Sequence, residues 1–167
     1  DFVIANDITE RKRVEEELAL QRQSLQLLAD FDETISHLRT TQIISNGLDF
    51  MTKATEIPHV SIALLEHDRG GFQLLDMRCA LKELRNGDFL PFKSTVLSKV
   101  IQSKYPVYRP DIREERMTYK VDTILVQEGF FSDFLIPLIV EDTCIGTLNI
   151  AAREVDGISE ENRRLLE

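Results

Sequence analysis

Two apolar runs near the C-terminus, Asp133 to Val140 and Thr143 to Ala152, are separated only by Glu141-Asp142. So short a link joins neighbouring antiparallel strands, because a parallel return needs a crossover of a dozen residues or more. A second hairpin is signalled upstream. Val60 to Leu65 is almost wholly apolar, as for a central strand, Asp68-Arg69-Gly70-Gly71 is a turn signal, and Phe72 to Ala80 reads as the return strand. Pro106 to Pro110 reads as a short edge strand, since both prolines would interrupt a central ladder. Leu81 to Lys93 reads as irregular, with a turn at Asn86-Gly87.

Helical segments flank these strands. Phe2-Val3-Ile4-Ala5 would serve as the end of a strand, and Asp7 with Glu10 has capping-box spacing. Glu10 to Gln26 then contains no Gly or Pro and is rich in helix formers. Val14, Leu18, Leu25 and Leu28 fall on alternating three- and four-residue steps if Gln21 fills the vacant place. So narrow a seam suits a two-stranded coiled coil; the alternative is a lone solvated helix. Ile35 and Leu38 continue that apolar face. A second helix carries Ile44, Leu48 and Met51 and ends before Pro58. Ser94 can cap a short helix bearing Val96, Leu97, Val100 and Ile101, a further helix is expected at Tyr119 to Gln127 with Gly129 as its stop, and a last one begins at Ser159.

The 167 residues fit one domain of ordinary size with extra length at an end. Lys+Arg total 20 against 29 Asp+Glu, a net charge of −9, which argues against a nucleic-acid domain but not against a small anionic ligand. Two cysteines, Cys79 and Cys144, make no disulfide framework and suit a reducing compartment. No run has the length of a membrane span and no signal peptide opens the chain, so a cytoplasmic location is expected. The chain begins at Asp1 without an initiator Met, and is read as a piece of a longer protein.

Two places resemble known families. Asp7-Ile8-Thr9-Glu10-Arg11-Lys12 is similar to the motif that closes PAS domains of bacterial sensors and opens the linker helix behind them. The remainder resembles a GAF domain over about 120 to 130 residues. The resemblance is carried by Ser61–Glu66, by Ser94–Ser103 leading into Tyr105-Pro106-Val107, and above all by the hairpin from Phe134-Leu135-Ile136-Pro137 through Cys144-Ile145-Gly146-Thr147-Leu148-Asn149-Ile150. It implies an α/β (α+β) fold: a central antiparallel sheet of five or six strands, helices on both faces and a long N-terminal helix. The first, second and last helices would pack on one side, while residues between about Leu81 and Phe130 would roof a cavity on the other. The resulting division is a PAS tail over 1–8, a signalling helix over 9–30, a GAF domain over 31–157 and the start of an exit helix over 158–167.

Function must be argued from the site, since one fold hosts many activities. His37-Leu38-Arg39-Thr40 lacks the acidic residue and the proline of a histidine-kinase phosphoacceptor box. His59 and His67 stand too far apart on one strand to share a metal, and no Cys or carboxylate cluster supplements them, so no metal is expected. Cys79 precedes Ala80 and Cys144 precedes Ile145, not the histidine that commonly follows the bilin-attaching cysteine in chromophore-binding GAF domains. The Asn-Lys-Phe-Asp-Glu set of cyclic-nucleotide GAF domains has no counterpart. A GAF-type reductase of free methionine sulfoxide would need an exposed reactive thiolate with a resolving thiol in reach, whereas Cys144 lies in an apolar strand. What remains is Arg109, Arg113, Arg116 and Lys120 interleaved with Tyr108, Met117 and Tyr119. In a GAF layout these roof the cavity and could hold a carboxylate or phosphate; equally, Asp111, Glu114, Glu115 and Asp122 can pair with them on a solvated surface.

The expectation is a non-enzymatic sensory or relay module from a bacterial sensor, foremost a sensor histidine kinase. It would be a homodimer through Val14, Leu18, Leu25 and Leu28, acting on an output domain of the same chain. Its ligand, with no cofactor expected, would be a small anionic or amphipathic molecule held by Arg113, Arg116, Met117 and Tyr119 over a floor containing Cys79 and Phe134. The competing readings are the sulfoxide reductase, and a ligand-free spacer in a diguanylate cyclase or transcriptional activator.

Overall fold

The computed structural model describes residues 2–79, 81–115 and 118–166, with side chains from Arg11 onward apart from those of 31 and 34. The chain divides into two units, Asp1–Ile43 and Ile44–Glu167. The described part of the first belongs to helix α1 (Phe2–Thr55), whose C-terminal end lies in the second unit. Phe2–Ala5 is thus helical rather than a strand end, the Asp7–Glu10 spacing does not mark a helix start, and the segment expected to be a second helix with Ile44, Leu48 and Met51 belongs to the same helix α1. No Gly or Pro occurs before Gly47, and no described strand pairs with residues 2–5, so local helix propensity decides their conformation.

In the second unit, β1 (His59–Glu66), β2 (Gly71–Arg78), β3 (Phe89–Pro91), β4 (Val107–Arg109), β5 (Ser132–Val140) and β6 (Thr143–Ala152) form one antiparallel sheet in the order β3-β2-β1-β6-β5-β4. The expected β1–β2 and β5–β6 hairpins are present, and the proline-flanked β4 takes an edge. The other edge is β3, within the stretch expected to be irregular; three residues are too few for alternation to show. Gly71 admits it, because a Cβ there would stand 2.4 Å from the Leu90 carbonyl oxygen. Helix α2 (Leu97–Ser103) begins later than the expected Ser94 cap. Ser94 ends a 3-10 turn, and the Thr95 hydroxyl accepts the Leu97 N–H at 3.3 Å. Helices α3 (Lys120–Gln127) and α4 (Glu160–Leu166) complete the unit.

Strand alternation sorts the core onto two faces. Val60, Phe134, Ile136, Leu148 and Ile150 meet Leu48 of α1, Ile57 and Ile158, with Met51 and Leu166 packed alongside. Behind this face the Asn162 side-chain amide of α4 donates to the Thr55 carbonyl at the end of α1, 3.2 Å away. On the opposite face Ala63, Phe72 and Leu135 lie under Val96, Leu97 and Val100, and Ala151 lies under Ile112, Ile124, Leu125 and Phe130. Each fully buried side chain of the size of Leu or Phe contributes about 1.5–3 kcal/mol.

Candidate functional site

Register builds a polar floor on the face covered by α2 and α3. His59 of β1 stands opposite Ala151 of β6, Ala151 opposite Asp133 of β5, and Asp133 opposite Arg109 of β4. The adjacent row brings Met77, Ser61, Asn149 and Leu135 side by side. Above this floor, and below residues such as Leu81, Leu97 and Leu125, lies a cavity of about 50 Å³, room for roughly four water-sized groups. Ala151, which has the smallest side chain of its row, lines the cavity between His59 and Asp133.

Arg109 organises the charged end of the cavity. Its Nε donates to Asp133 Oδ1 at 2.8 Å, while Nη1 and Nη2 donate to Asp122 at 3.0 and 2.9 Å. Nη2 also reaches Asp133 Oδ2. All three side chains are almost fully buried, with exposures of 4% for Arg109, 1% for Asp122 and 2% for Asp133. Glu115 lies 3.6 Å from Arg109 Nη1 and 3.7 Å from the Lys99 ammonium. Burial works against the Arg109 cation, yet its hydrogen bonds to Asp133 and Asp122 carry its pKa above the ordinary arginine value. Burial pushes the Asp133 carboxyl up to about 6 against the pull of Arg109, and the charges of Asp122 and Glu115 act in the same direction.

The uncharged end is specific as well. Burial lowers the pKa of His59, whose Nδ1 lies 3.2 Å from the Cys79 carbonyl oxygen. A carbonyl can only accept, so Nδ1 carries the proton and Nε2 is left as an acceptor. Asn149 donates to the Ser61 hydroxyl at 3.5 Å, and its own Oδ1 is buried with no partner among the described residues.

None of the described residues expected at the site lines this cavity. Phe134 points to the opposite face, where its ring meets Tyr108 with centroids 6.3 Å apart; its neighbours Asp133 and Leu135 face the cavity. Cys79 is exposed just past β2 and offers only its carbonyl, to His59. Arg113 is turned to solvent, where Asp111 holds it by two hydrogen bonds of 2.8 and 2.7 Å and its guanidinium lies over Phe131. Tyr119 lines a shallow surface groove with Leu65, Phe92 and Ile101. Arg116 and Met117 lie outside the described residues. The cation at the cavity is Arg109, signalled in the sequence by strand alternation between two prolines, since Val107 and Arg109 share a face that Tyr108 does not.

Neither a protein-family model nor a curated protein matches the sequence. Solved structures do. The GAF domain of a two-component sensor histidine kinase from Bacillus halodurans is 16% identical with a TM-score of 0.64, over 75% of this chain and 85% of that one. The GAF domain of a phosphoenolpyruvate-protein phosphotransferase from Coxiella burnetii is 20% identical with a TM-score of 0.65, over 75% and 74%. A free methionine-R-sulfoxide reductase from Neisseria meningitidis, solved with its substrate, is 17% identical with a TM-score of 0.60, over 75% and 69%. Among the described residues no helix is long and apolar enough to cross a membrane. At these identities the likeness is one of architecture, and the chain has the GAF fold.

Proposed function

We propose that the chain is a sensory or regulatory GAF module of a signal-transduction protein of the sensor histidine kinase type. In this reading it follows the end of a PAS domain and pairs through α1 as a parallel homodimer. One observation carries the reading: a single sheet separates the polar cavity from the junction of α1 and α4. His59, Ser61 and Asn149 line the cavity on β1 and β6, and the other faces of the same strands present Val60, Leu148 and Ile150 to Leu48 and Ile158. A change of packing above the floor therefore acts on both helix ends, where Asn162 meets Thr55. Such a relay works only if the input binds two states of the module differently.

The disposition of the thiols favours this reading over the reductase. Cys79 flanks the His59 end of the sheet, and Cys144 pairs with Ile139 near the other end, seven residues along β6 from the partner of His59. That separation is roughly 20 Å along the strands, far beyond the Cα spacing that a disulfide spans. The test of the relay is disulfide cross-linking of single cysteines at Val14, Leu18, Leu25, Leu28 and Arg22 in a chain with Cys79 and Cys144 replaced by Ala. Strong cross-linking at the first four and weak cross-linking at Arg22 is expected. Equal yields at all five would remove the paired helix on which the relay depends.

A further inference from the structure

The cavity floor is richer in acceptors than in donors. Every carboxylate oxygen of Asp122 and Asp133 accepts one hydrogen bond, each from Arg109, and retains a second lone pair. Among the described residues, two cations, Arg109 and Lys99, face three carboxylates, Asp122, Asp133 and Glu115, so one negative charge of this cluster has no counter-ion there. A buried carboxylate in that position is costly unless something compensates it. Two further observations point the same way. His59 is 5% exposed and lines the cavity, and with Nδ1 facing the Cys79 carbonyl its Nε2 is left as an acceptor. The Asn149 Oδ1 is buried and has no partner among the described residues. In the sheet register Ala151, which lines the cavity, stands between His59 and Asp133.

We propose that the cavity binds a compact primary ammonium ion. Its N–H groups are donated to Asp133, the Asn149 carbonyl oxygen and the His59 ring, and its short alkyl part lies against Leu74 and Leu135. This rests on the cavity being the sensory site of the module. It reverses the anionic ligand expected from Arg113 and Arg116, because the arginine that does reach the cavity is already held by two carboxylates. The volume of about 50 Å³ limits the ligand to the size of methylammonium or ethylammonium.

The test is thermal unfolding of the 167-residue chain at neutral pH with ethylammonium chloride, against potassium chloride and sodium propionate at equal ionic strength. Ethylammonium is expected to raise Tm by at least about 3 °C over the potassium control, and propionate to give no rise. The His59 ring nitrogens should shift in NMR spectra over the same titration. Asp133→Asn removes the charge and Ala151→Val adds bulk to the cavity lining, and each should abolish the rise. If either variant fails to fold, the His59 signal of the unmodified chain decides. No rise and no His59 shift overturns the proposal while leaving the relay, tested by cross-linking, intact. A rise with propionate, an equal rise with potassium, or a rise that survives both folded variants overturns it too.

Discussion

Arg109 and Asp133 are registered partners on β4 and β5, and their side chains close a buried ion pair that extends to Asp122 on α3. The arrangement ties a three-residue edge strand to the roof of the cavity. It also leaves no route for replacing the arginine alone, since both carboxylates would lose the only donors they have among the described residues.

Arg109→Met is accordingly expected to cost about 3–5 kcal/mol, the usual penalty for breaking a buried pair from one side. Arg113→Met, which breaks an exposed pair with Asp111, should leave stability nearly unchanged. Urea unfolding of the two variants checks the contrast, and equal losses would mean that burial does not set the worth of these pairs.

The pH dependence follows from Asp133. Its folded-state value of about 6 stands above the ordinary 3.8 because burial disfavours the carboxylate. Between those values the folded chain keeps a proton that the unfolded chain has released. The contribution of Asp133 to stability is therefore full below about pH 4 and lost as pH rises to about 6, by on the order of 2–3 kcal/mol. His59 acts oppositely: burial lowers its pKa from 6.5, so its contribution declines as pH falls below that value. Comparison with Asp133→Asn cancels the His59 effect. The unmodified chain should lose stability relative to the variant as pH rises from about 4 to about 6, and a constant difference would contradict the assignment.

Both hairpins were legible in the sequence because turn signals bracket apolar runs at Asp68–Gly71 and Glu141–Asp142. The cavity floor was less so. Ser132–Val140 is buried on both faces over most of its length, so it shows no alternation to fix which residues face the cavity. A slip of one residue exchanges Phe134 for Asp133 and Leu135. Asp133 itself was the available signal, a lone carboxylate opening an apolar strand. Arg109 and Arg113 sit in the same charged, aromatic stretch, and composition does not say which turns inward; the two-residue period of β4 does. The three-residue β3 left no period at all to read.

Two glycines separate crowding from helix propensity. Gly146 pairs with Leu64 and Leu138 in the centre of the sheet, and a Cβ there would stand 2.4 Å from the Ala63 carbonyl oxygen and 3.1 Å from the Leu64 Cα. Both obstacles are backbone, so Gly146→Ala should destabilise by at least about 2 kcal/mol. Gly47 in α1 has nothing within 4 Å of the added carbon, and Gly47→Ala should stabilise by about 0.5–1 kcal/mol. Chemical denaturation of the pair reads both signs.

The helix seam gives a further expectation. Val14, Leu18, Leu25 and Leu28 are all exposed, with Leu18 at 47% and Leu25 at 67%. If they meet a second copy, Leu18→Glu and Leu25→Glu place a carboxylate in an apolar seam and should weaken association by tenfold or more, on the order of 1.4 kcal/mol or above. Leu20→Glu, at an exposed position outside the seam, should not. Sedimentation equilibrium decides, and a monomer at high concentration would return the segment to a lone solvated helix.

The two thiols should behave as unrelated groups. Cys79 is exposed at the end of β2 in a left-handed backbone conformation with φ of 60°, while Cys144 is buried with its thiol 3.4 Å from the Gly146 carbonyl oxygen. A thiol reagent should therefore label one cysteine rapidly in the native protein and the second only as it unfolds. Mild oxidation should form no intramolecular disulfide, because strand register holds the two roughly 20 Å apart. A sulfoxide-reducing cycle that oxidises one thiol and resolves it with the other is then closed to the folded chain. Replacing both by alanine should lower stability through Cys144 alone, by the modest amount that a small buried side chain contributes. Turnover of free methionine sulfoxide with a thiol reductant is the decisive measurement. Activity in the unmodified chain that disappears in the double variant would replace the relay with catalysis.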